Sequence, residues 1–186
     1  MYLILEYARQ TRRGIDLCLT DGLVLPALAL LYSGIDVLGF LASTKSRATS
    51  QTFADWTSRY MTALLQKKGI TGRDLFAARC GILHTGKAPS DLVDSGHARE
   101  LWYEFRGESH INLIVNTPLP PVLLDVDEMV AAFASGLEQF ATDLQTDPKM
   151  GQAAAQKAER FFRRGAFFDP AGRTFRWAGK PLIPDG

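Results

Sequence analysis

The feature that most constrains the fold is an apolar stretch of 21 residues, from Gly22 to Ala42, in which Asp36 is the single charged residue. A helix of this length is long enough to cross a bilayer. A carboxylate within a lone membrane-spanning helix costs about 2.5–3.5 kcal/mol on insertion scales, and the sequence has no second stretch of this kind. We therefore expect a buried core helix of a helical bundle, with no membrane contact.

The composition is that of an ordinary globular protein. Its 186 residues suffice for one domain with a sizeable core, and its net charge of +1 excludes a protein that coats nucleic acid through bulk charge. The two cysteines form no disulfide framework and indicate a reducing compartment, such as the cytoplasm. With three histidines and no cluster at zinc-ligand spacing, we expect neither a structural metal nor a cofactor.

Hydrophobic periodicity predicts a single helical domain over residues 1–166 and a tail over residues 167–186. Asp21 is the expected N-cap of the apolar helix, and either Asp125 or Asp127 is expected to cap a later one. The other predicted helical segments are 2–13, 51–68 (ended by Gly69), 71–85 (opened by a capping box of Thr71 and Asp74), a segment ending near Leu144, and 148–164.

One region departs from the helical pattern and predicts a β-hairpin at about residues 98–117. The segment 99–106 alternates loosely between polar and apolar residues, and the segment 111–115 is rich in β-branched residues. The residues between them, 107–110, are predicted to form the turn. The predicted fold class is therefore mainly α, a helical bundle with a small β-hairpin insertion.

The residues that best fit a chemical role lie on one predicted helix. Arg79 and His84 combine a fixed cation with an acid/base group whose pKa is ordinarily near neutrality. The histidine can move a proton to or from an oxygen, and the arginine can stabilise charge on a phosphoryl group. Together they suffice to cleave a phosphodiester by attack of the neighbouring 2′-hydroxyl, a reaction that needs no metal ion.

The spacing of the pair leaves two arrangements open. In an α-helix the two side chains lie about 140° apart around the axis and about 7.5 Å apart along it. Either the long Arg79 side chain reaches round the helix, or two copies of the helix meet across a dimer axis and share the site. The second arrangement predicts a homodimer, and a patch of small residues would allow the close approach: Ala77, Ala78, Cys80 and Gly81.

Two other interpretations use the same residues. Asp36 needs a partner because an unpaired buried charge is costly, and Arg79 is the obvious candidate. Arg79 and His84 would then hold the core of a non-catalytic module together. Alternatively, Cys80 is a nucleophile and His84 is its base, one helical turn away; otherwise Cys80 is a small core residue.

Some residues outside this helix bear on binding. Arg99 is a candidate for an anion pocket beside the motif, whereas His97 and His110 are expected in exposed loops. The segment from Lys157 to Lys180 contains seven basic residues, two acidic residues and six aromatic residues. Basic charge combined with aromatic rings is typical of single-strand binding. The alternative is that the phenylalanines pack onto the bundle while the arginines face solvent.

Three segments together resemble bacterial proteins that carry a HEPN-like helical domain. They are YSGIDVLG (Tyr32–Gly39), FADWTSRYM (Phe53–Met61) and DLFAARCGILHT (Asp74–Thr85). The resemblance covers about residues 22–105. In that superfamily an arginine and a histidine, separated by four to six residues, lie on a bundle helix. Many members are metal-independent endoribonucleases that act as homodimers in toxin–antitoxin, phage-defence and CRISPR systems.

The resemblance implies RNA as the substrate, Arg79 and His84 as the catalytic pair, and an antitoxin or another protein as a partner. Cys80 departs from the family pattern, because active members usually carry Asn, Asp or His directly after the arginine. Some HEPN-like domains only bind partners or RNA. The resemblance therefore admits two functions, a ribonuclease and a non-catalytic RNA- or protein-binding module.

Overall fold

The computed structural model describes residues 2–85, 91–109, 118–164, 176–177 and 180–181. About three-quarters of it is helical, so the prediction of a mainly α fold is confirmed. The described α-helices are α1 (Tyr2–Thr20), α2 (Val24–Ala42), α3 (Ser50–Tyr60), α4 (Thr62–Lys68), α5 (Gly72–Cys80), α6 (Asp91–Asp94), α7 (Val126–Thr146) and α8 (Pro148–Arg164). A π-helical segment, Gly81–Thr85, directly continues α5.

Helix α2 lies in the centre of the bundle. It packs mainly against α1 and α3 and also contacts α7, α8 and the π-helical segment. Among the described residues it is the one helix long and apolar enough to cross a membrane, and 56% of its most apolar window is buried inside the fold. A core helix passes the same test of length and composition. Four of its side chains have no exposed surface: Leu31, Tyr32, Ile35 and Leu38.

The first two helices differ from the prediction at their boundary. Helix α1 continues past residue 13 to Thr20, because Ile15 and Leu19 extend its buried stripe. Asp21 does not cap α2. The N-cap position is Leu23, which makes no side-chain capping hydrogen bond.

The segment predicted as one helix over 51–68 forms two helices. Met61 has a non-helical backbone conformation and separates α3 from α4. Gly69 ends α4 as predicted, in the left-handed conformation with a φ of 63° that glycine adopts without strain. Further along the chain, Asp125 caps α7 as one of the two predicted candidates, and α8 has the predicted bounds.

A small sheet adjoins the bundle, and its hairpin turns earlier than predicted. Strand β1 (Leu101–Phe105) pairs antiparallel with β2 (Glu108–Ser109). The turn residues are Arg106 and Gly107, which both have positive φ, as a two-residue hairpin of this type requires. The turn therefore begins before the predicted 107–110. The predicted second strand at 111–115 lies outside the described residues.

The other side of β1 carries a pairing that the sequence did not predict. Strand β3 (Val122–Asp125) runs parallel to β1, with Leu101 opposite Val122. Parallel partners are joined by a long connection, which leaves no turn signal in the sequence. The predicted tail lies largely outside the described residues. Within it, β4 (Arg176–Trp177) and β5 (Lys180–Pro181) pair antiparallel.

Gly39 lets α2 and α3 approach each other closely. A Cβ atom added at this position would lie 2.5 Å from the carbonyl oxygen of Thr52 and 3.4 Å from the Cα of Phe53. Both atoms belong to the backbone of α3, so they cannot move aside as a side chain does. The spacing of the two helices therefore depends on the absence of a side chain at Gly39.

We expect Gly39→Ala to destabilise the protein by about 1–3 kcal/mol, because overpacking displaces the backbone of α3. The matched control is Gly14→Ala in α1, where the added Cβ would meet only the tip of the Leu30 side chain, at 3.2 Å. There the higher helix propensity of alanine is expected to stabilise the protein by about 0.5–1 kcal/mol. Urea denaturation measures both changes, and equal stability of the two variants would contradict the close approach.

Candidate functional site

Helix α5 is fixed at its first turn by hydrogen bonds that the sequence predicted. The Asp74 backbone N–H donates to the Thr71 hydroxyl, and the Asp74 carboxylate accepts from the Thr71 backbone N–H at 2.7 Å. Gly72 lies against α3, since an added Cβ would be 2.8 Å from the Ala54 carbonyl oxygen. These contacts hold the helix that carries Arg79 against the bundle.

The Arg79 guanidinium pairs with Asp36 of α2, the partner expected from the sequence. Its Nε and Nη2 atoms lie 2.7 Å and 2.6 Å from Oδ2 of Asp36. The pair is partly buried, with 20% of the Arg79 side chain and 17% of the Asp36 side chain exposed. It therefore lies at the edge of the bundle, where solvent reaches the guanidinium.

Two further contacts fix the guanidinium. Its central carbon lies 5.7 Å from the centre of the Phe76 ring, a cation–π contact. Its Nη1 atom lies 4.0 Å from the sulfur of Cys80, which is a partly buried free thiol. The Phe76 ring in turn packs edge-on against Phe53 of the core. Arg79 thus has a fixed position rather than a freely moving one.

The helix changes its winding directly after Cys80. Residues Gly81–Thr85 form a π-helical segment, which contains His84. A π-helix closes hydrogen bonds between residues five apart instead of four, so each residue turns through less than the 100° of an α-helix. Arg79 and His84 are therefore separated by less than the predicted 140° around the axis. The side chain of His84 lies outside what the structure describes.

Arg99 is not placed beside Arg79. Its backbone N–H donates to the Asp74 carboxylate at 2.6 Å, at the first turn of α5, and its Nη1 donates to the Gly69 carbonyl oxygen at 3.0 Å. The Arg99 guanidinium thus closes the turn between α4 and α5, at the opposite end of α5 from Arg79. Among the described residues, Arg99 makes no contact with Arg79, and its role in an anion pocket stays a prediction.

The other two histidines considered have no contact with Arg79 among the described residues. His97 is exposed, as predicted, and its Nδ1 lies 2.8 Å from the Ser95 hydroxyl. His110 lies outside the described residues.

Two of the small residues expected at a dimer interface pack within the chain instead. Ala77 is buried against Val93 and Ala98. Ala78 is buried in the main core.

Tyr7 of α1 is a neighbour of Asp36 that sequence reasoning missed. Its hydroxyl lies 3.5 Å from the Ser33 carbonyl oxygen, on the same stretch of α2. Burial raises the pKa of Tyr7, the hydrogen bond with Thr11 lowers it, and the negative charge of Asp36 raises it again. The phenol is therefore neutral near pH 7 and is a proton-bearing group beside the pair. Nothing in the predicted helix over residues 2–13 distinguished Tyr7 as a neighbour of Asp36.

A second missed residue is Glu100, whose side chain is buried with 1% exposure. Neither carboxylate oxygen has a hydrogen-bond partner within the described part of the chain. Burial raises the pKa of Glu100, although the proximity of Trp102 offsets part of the rise. An unpartnered buried acid is costly, and its burial depends on tertiary contacts that the sequence does not reveal.

Metal ligation has no support in the described residues. No group of three or more His, Cys, Asp or Glu side chains there has the arrangement of a metal site. The chemistry available to the described side chains is that of a fixed guanidinium, a carboxylate and a phenol. His84 would add a proton-transfer group.

We expect a double-mutant cycle with Asp36→Asn and Arg79→Met to give a coupling energy of about 1–3 kcal/mol in urea denaturation. This range lies between the values for exposed and fully buried pairs, as the partial burial of both side chains requires. The control is the pair of Arg59 and Asp143, in which the arginine is 58% exposed, and its coupling should stay below about 1 kcal/mol. Equal coupling energies would contradict a specially fixed Arg79.

We expect Glu100→Gln to stabilise the protein by about 1–3 kcal/mol at pH 7, because the uncharged amide costs less to bury than a carboxylate. Folding raises the pKa of Glu100 above its usual 4.5, so the parent loses stability as the pH rises through the folded pKa. The advantage of the variant should therefore disappear below about pH 4. Glu104→Gln, at a partly exposed position of β1, is the control and should change the stability at pH 7 by less than about 0.5 kcal/mol.

Comparison of the chain with protein-family models, with curated proteins and with solved structures gives no match. The resemblance to HEPN-like proteins therefore depends on the three sequence segments named above. The function proposed below is argued from the chemistry of the site.

Proposed function

We propose that the protein is a metal-independent endoribonuclease of the HEPN type, acting as a homodimer in the cytoplasm within a toxin or defence system. The observation that carries the proposal is the placement of Arg79. Asp36 holds its guanidinium at the edge of the bundle, directly before the π-helical segment that contains His84. Segments of π-helix occur frequently at functional sites.

The reaction needs a proton acceptor, a proton donor and a cation. The 2′-hydroxyl of the RNA attacks the adjacent phosphorus, a new P–O2′ bond forms, and the P–O5′ bond breaks. His84 takes the proton from the 2′-hydroxyl or gives one to the leaving 5′-oxygen. Arg79 stabilises the added negative charge on the phosphoryl oxygens. The products are a 2′,3′-cyclic phosphate and a 5′-hydroxyl, and no metal ion enters this scheme.

Asp36 is the positioning residue in this scheme. Because its Oδ2 accepts from both Nε and Nη2 of Arg79, it sets the plane of the guanidinium. A planar fork held in one orientation loses less conformational entropy when it binds a phosphate than a mobile one. In a dimer, one His84 would accept the proton of the 2′-hydroxyl and the second would donate a proton to the leaving oxygen. An antitoxin or another protein would regulate the enzyme.

A non-catalytic RNA- or protein-binding module is the second candidate. It is favoured by the number of contacts that Arg79 makes within the chain, with Asp36, Phe76 and Cys80. It also agrees with Cys80 at the position where active HEPN-like members usually carry Asn, Asp or His. In this function Arg79 serves the stability of the fold, and no RNA is cleaved.

We expect the parent protein to cleave single-stranded RNA in the presence of EDTA and to leave 2′,3′-cyclic phosphate ends. His84→Ala should reduce the rate by about 10²–10⁴-fold, because a general acid or base is lost. Arg79→Ala should reduce it by a similar factor, because removing one donor to the developing charge costs about 10²–10³-fold. The measurement is the cleavage rate of a labelled oligonucleotide, resolved by gel electrophoresis.

His97→Ala is the control, since it removes an exposed histidine that contacts only Ser95 among the described residues. It should cleave like the parent, and all variants should keep the far-ultraviolet circular dichroism spectrum of the parent. Two results would contradict the nuclease. One is cleavage by both site variants at the parental rate. The other is a parent that cleaves no RNA while Arg79→Ala melts at a much lower temperature, which would support the binding module.

A further inference from the structure

We propose that the C-terminal end of α2 carries a binding surface for single-stranded RNA, formed by Lys45, Arg47, Arg160 and Phe161. The basic surface, as we call these four residues, joins a loop between α2 and α3 to one turn of α8. It rests on the proposed function, because it would lead the substrate to Arg79.

The loop and α8 meet at Ser43. The Ser43 hydroxyl accepts from the backbone N–H of Lys45 at 3.2 Å and from Nζ of Lys157 at 3.3 Å. Lys157 also donates to the carbonyl oxygens of Phe40 and Ser43, at the end of α2. A cation at a helix C-terminus is favourable, so Lys157 stabilises the fold and is not counted in the basic surface. Together with the contact of Phe161 on Phe40, these bonds hold this part of α8 against the C-terminal end of α2, where the loop begins.

Among the described residues, the cations of this surface form no ion pair with an acid. Lys45 and Arg47 are exposed, the loop over residues 43–49 contains no acidic residue, and neither side chain forms an ion pair with the described residues. Arg160 is likewise exposed. Glu159 is adjacent to Arg160 in sequence but lies about 100° from it around α8. The surface therefore presents three cations to solvent.

An aromatic ring lies among these cations. Phe161 is 45% exposed, while its ring is supported by Phe40 at 5.9 Å and by Phe162 at 5.2 Å. A base can stack on an aromatic ring that is partly exposed and held in place by its neighbours, whatever the identity of the base. Cations for phosphates and a ring for bases are the two elements of single-strand binding.

The surface begins close to the candidate site. Phe40 lies one turn beyond Asp36 on α2, which is about 6 Å along the axis. The Phe162 ring lies 5.4 Å from the ring of Tyr7, the residue whose hydroxyl is a neighbour of Asp36. An RNA strand on the basic surface would therefore continue towards the pair of Asp36 and Arg79.

The test measures binding of a fluorescein-labelled oligouridine by anisotropy, in the His84→Ala background so that the RNA stays intact. We expect Lys45→Gln/Arg47→Gln to raise Kd about 25-fold at 0.1 M salt, about fivefold for each lost phosphate contact, and to make the salt dependence shallower. Phe161→Ala should raise Kd about fivefold or more through lost stacking. Phe161→Tyr should restore it.

The matched control is Arg73→Gln/Lys149→Gln, which removes the same charge from exposed positions elsewhere that form no ion pair in the described structure. It should leave Kd unchanged. Equal Kd values for Lys45→Gln/Arg47→Gln and for the control would overturn the basic surface. This holds whether both variants bind RNA more weakly than the parent or both bind like it. So would tighter binding of duplex DNA than of the single strand.

The two proposals fail separately. If the parent binds oligouridine through the basic surface but cleaves no RNA, the nuclease proposal is wrong and the surface stands. If the parent cleaves RNA and Lys45→Gln/Arg47→Gln binds and cleaves like it, the surface is wrong and the nuclease stands. Melting curves of every variant establish that the changes in Kd do not come from unfolding.

Discussion

The burial of α2 is the constraint on which the rest of the structure depends. An apolar helix of 19 residues needs cover on most of its surface, and α1, α3, α7 and α8 provide it. A charge on such a helix is tolerated only at the edge of the cover and with a partner. Asp36 meets both conditions because α5 presents Arg79 to it. The fixed guanidinium is therefore a consequence of how the core is closed.

Features with a local cause were predictable from the sequence. The capping box at the start of α5 and the Asp125 cap of α7 depend on residues within one turn of each other. The Asp21 cap failed although its signal was similar. A side-chain cap contributes about 1 kcal/mol, which is less than burying an additional turn of α1 through Ile15 and Leu19.

Most features with a distant cause were not predictable. The exception is the ion-pair partner of Asp36, which could be predicted because Asp36 is the single charged residue of the apolar segment. The pairing of β1 with β3, the contact of Arg99 with Gly69 and the burial of Glu100 have no comparable signal. Each depends on segments that the fold brings together across many residues. The change from α- to π-winding after Cys80 also has no recognised sequence signal.

The contacts of α8 with α2 have a consequence during synthesis of the chain. Lys157 and Phe161 cover the last turn of a helix that emerges from the ribosome more than a hundred residues earlier. Translation at about 5–20 residues per second leaves that turn uncovered for several seconds. During this interval the nascent chain exposes an apolar surface of the kind that chaperones bind.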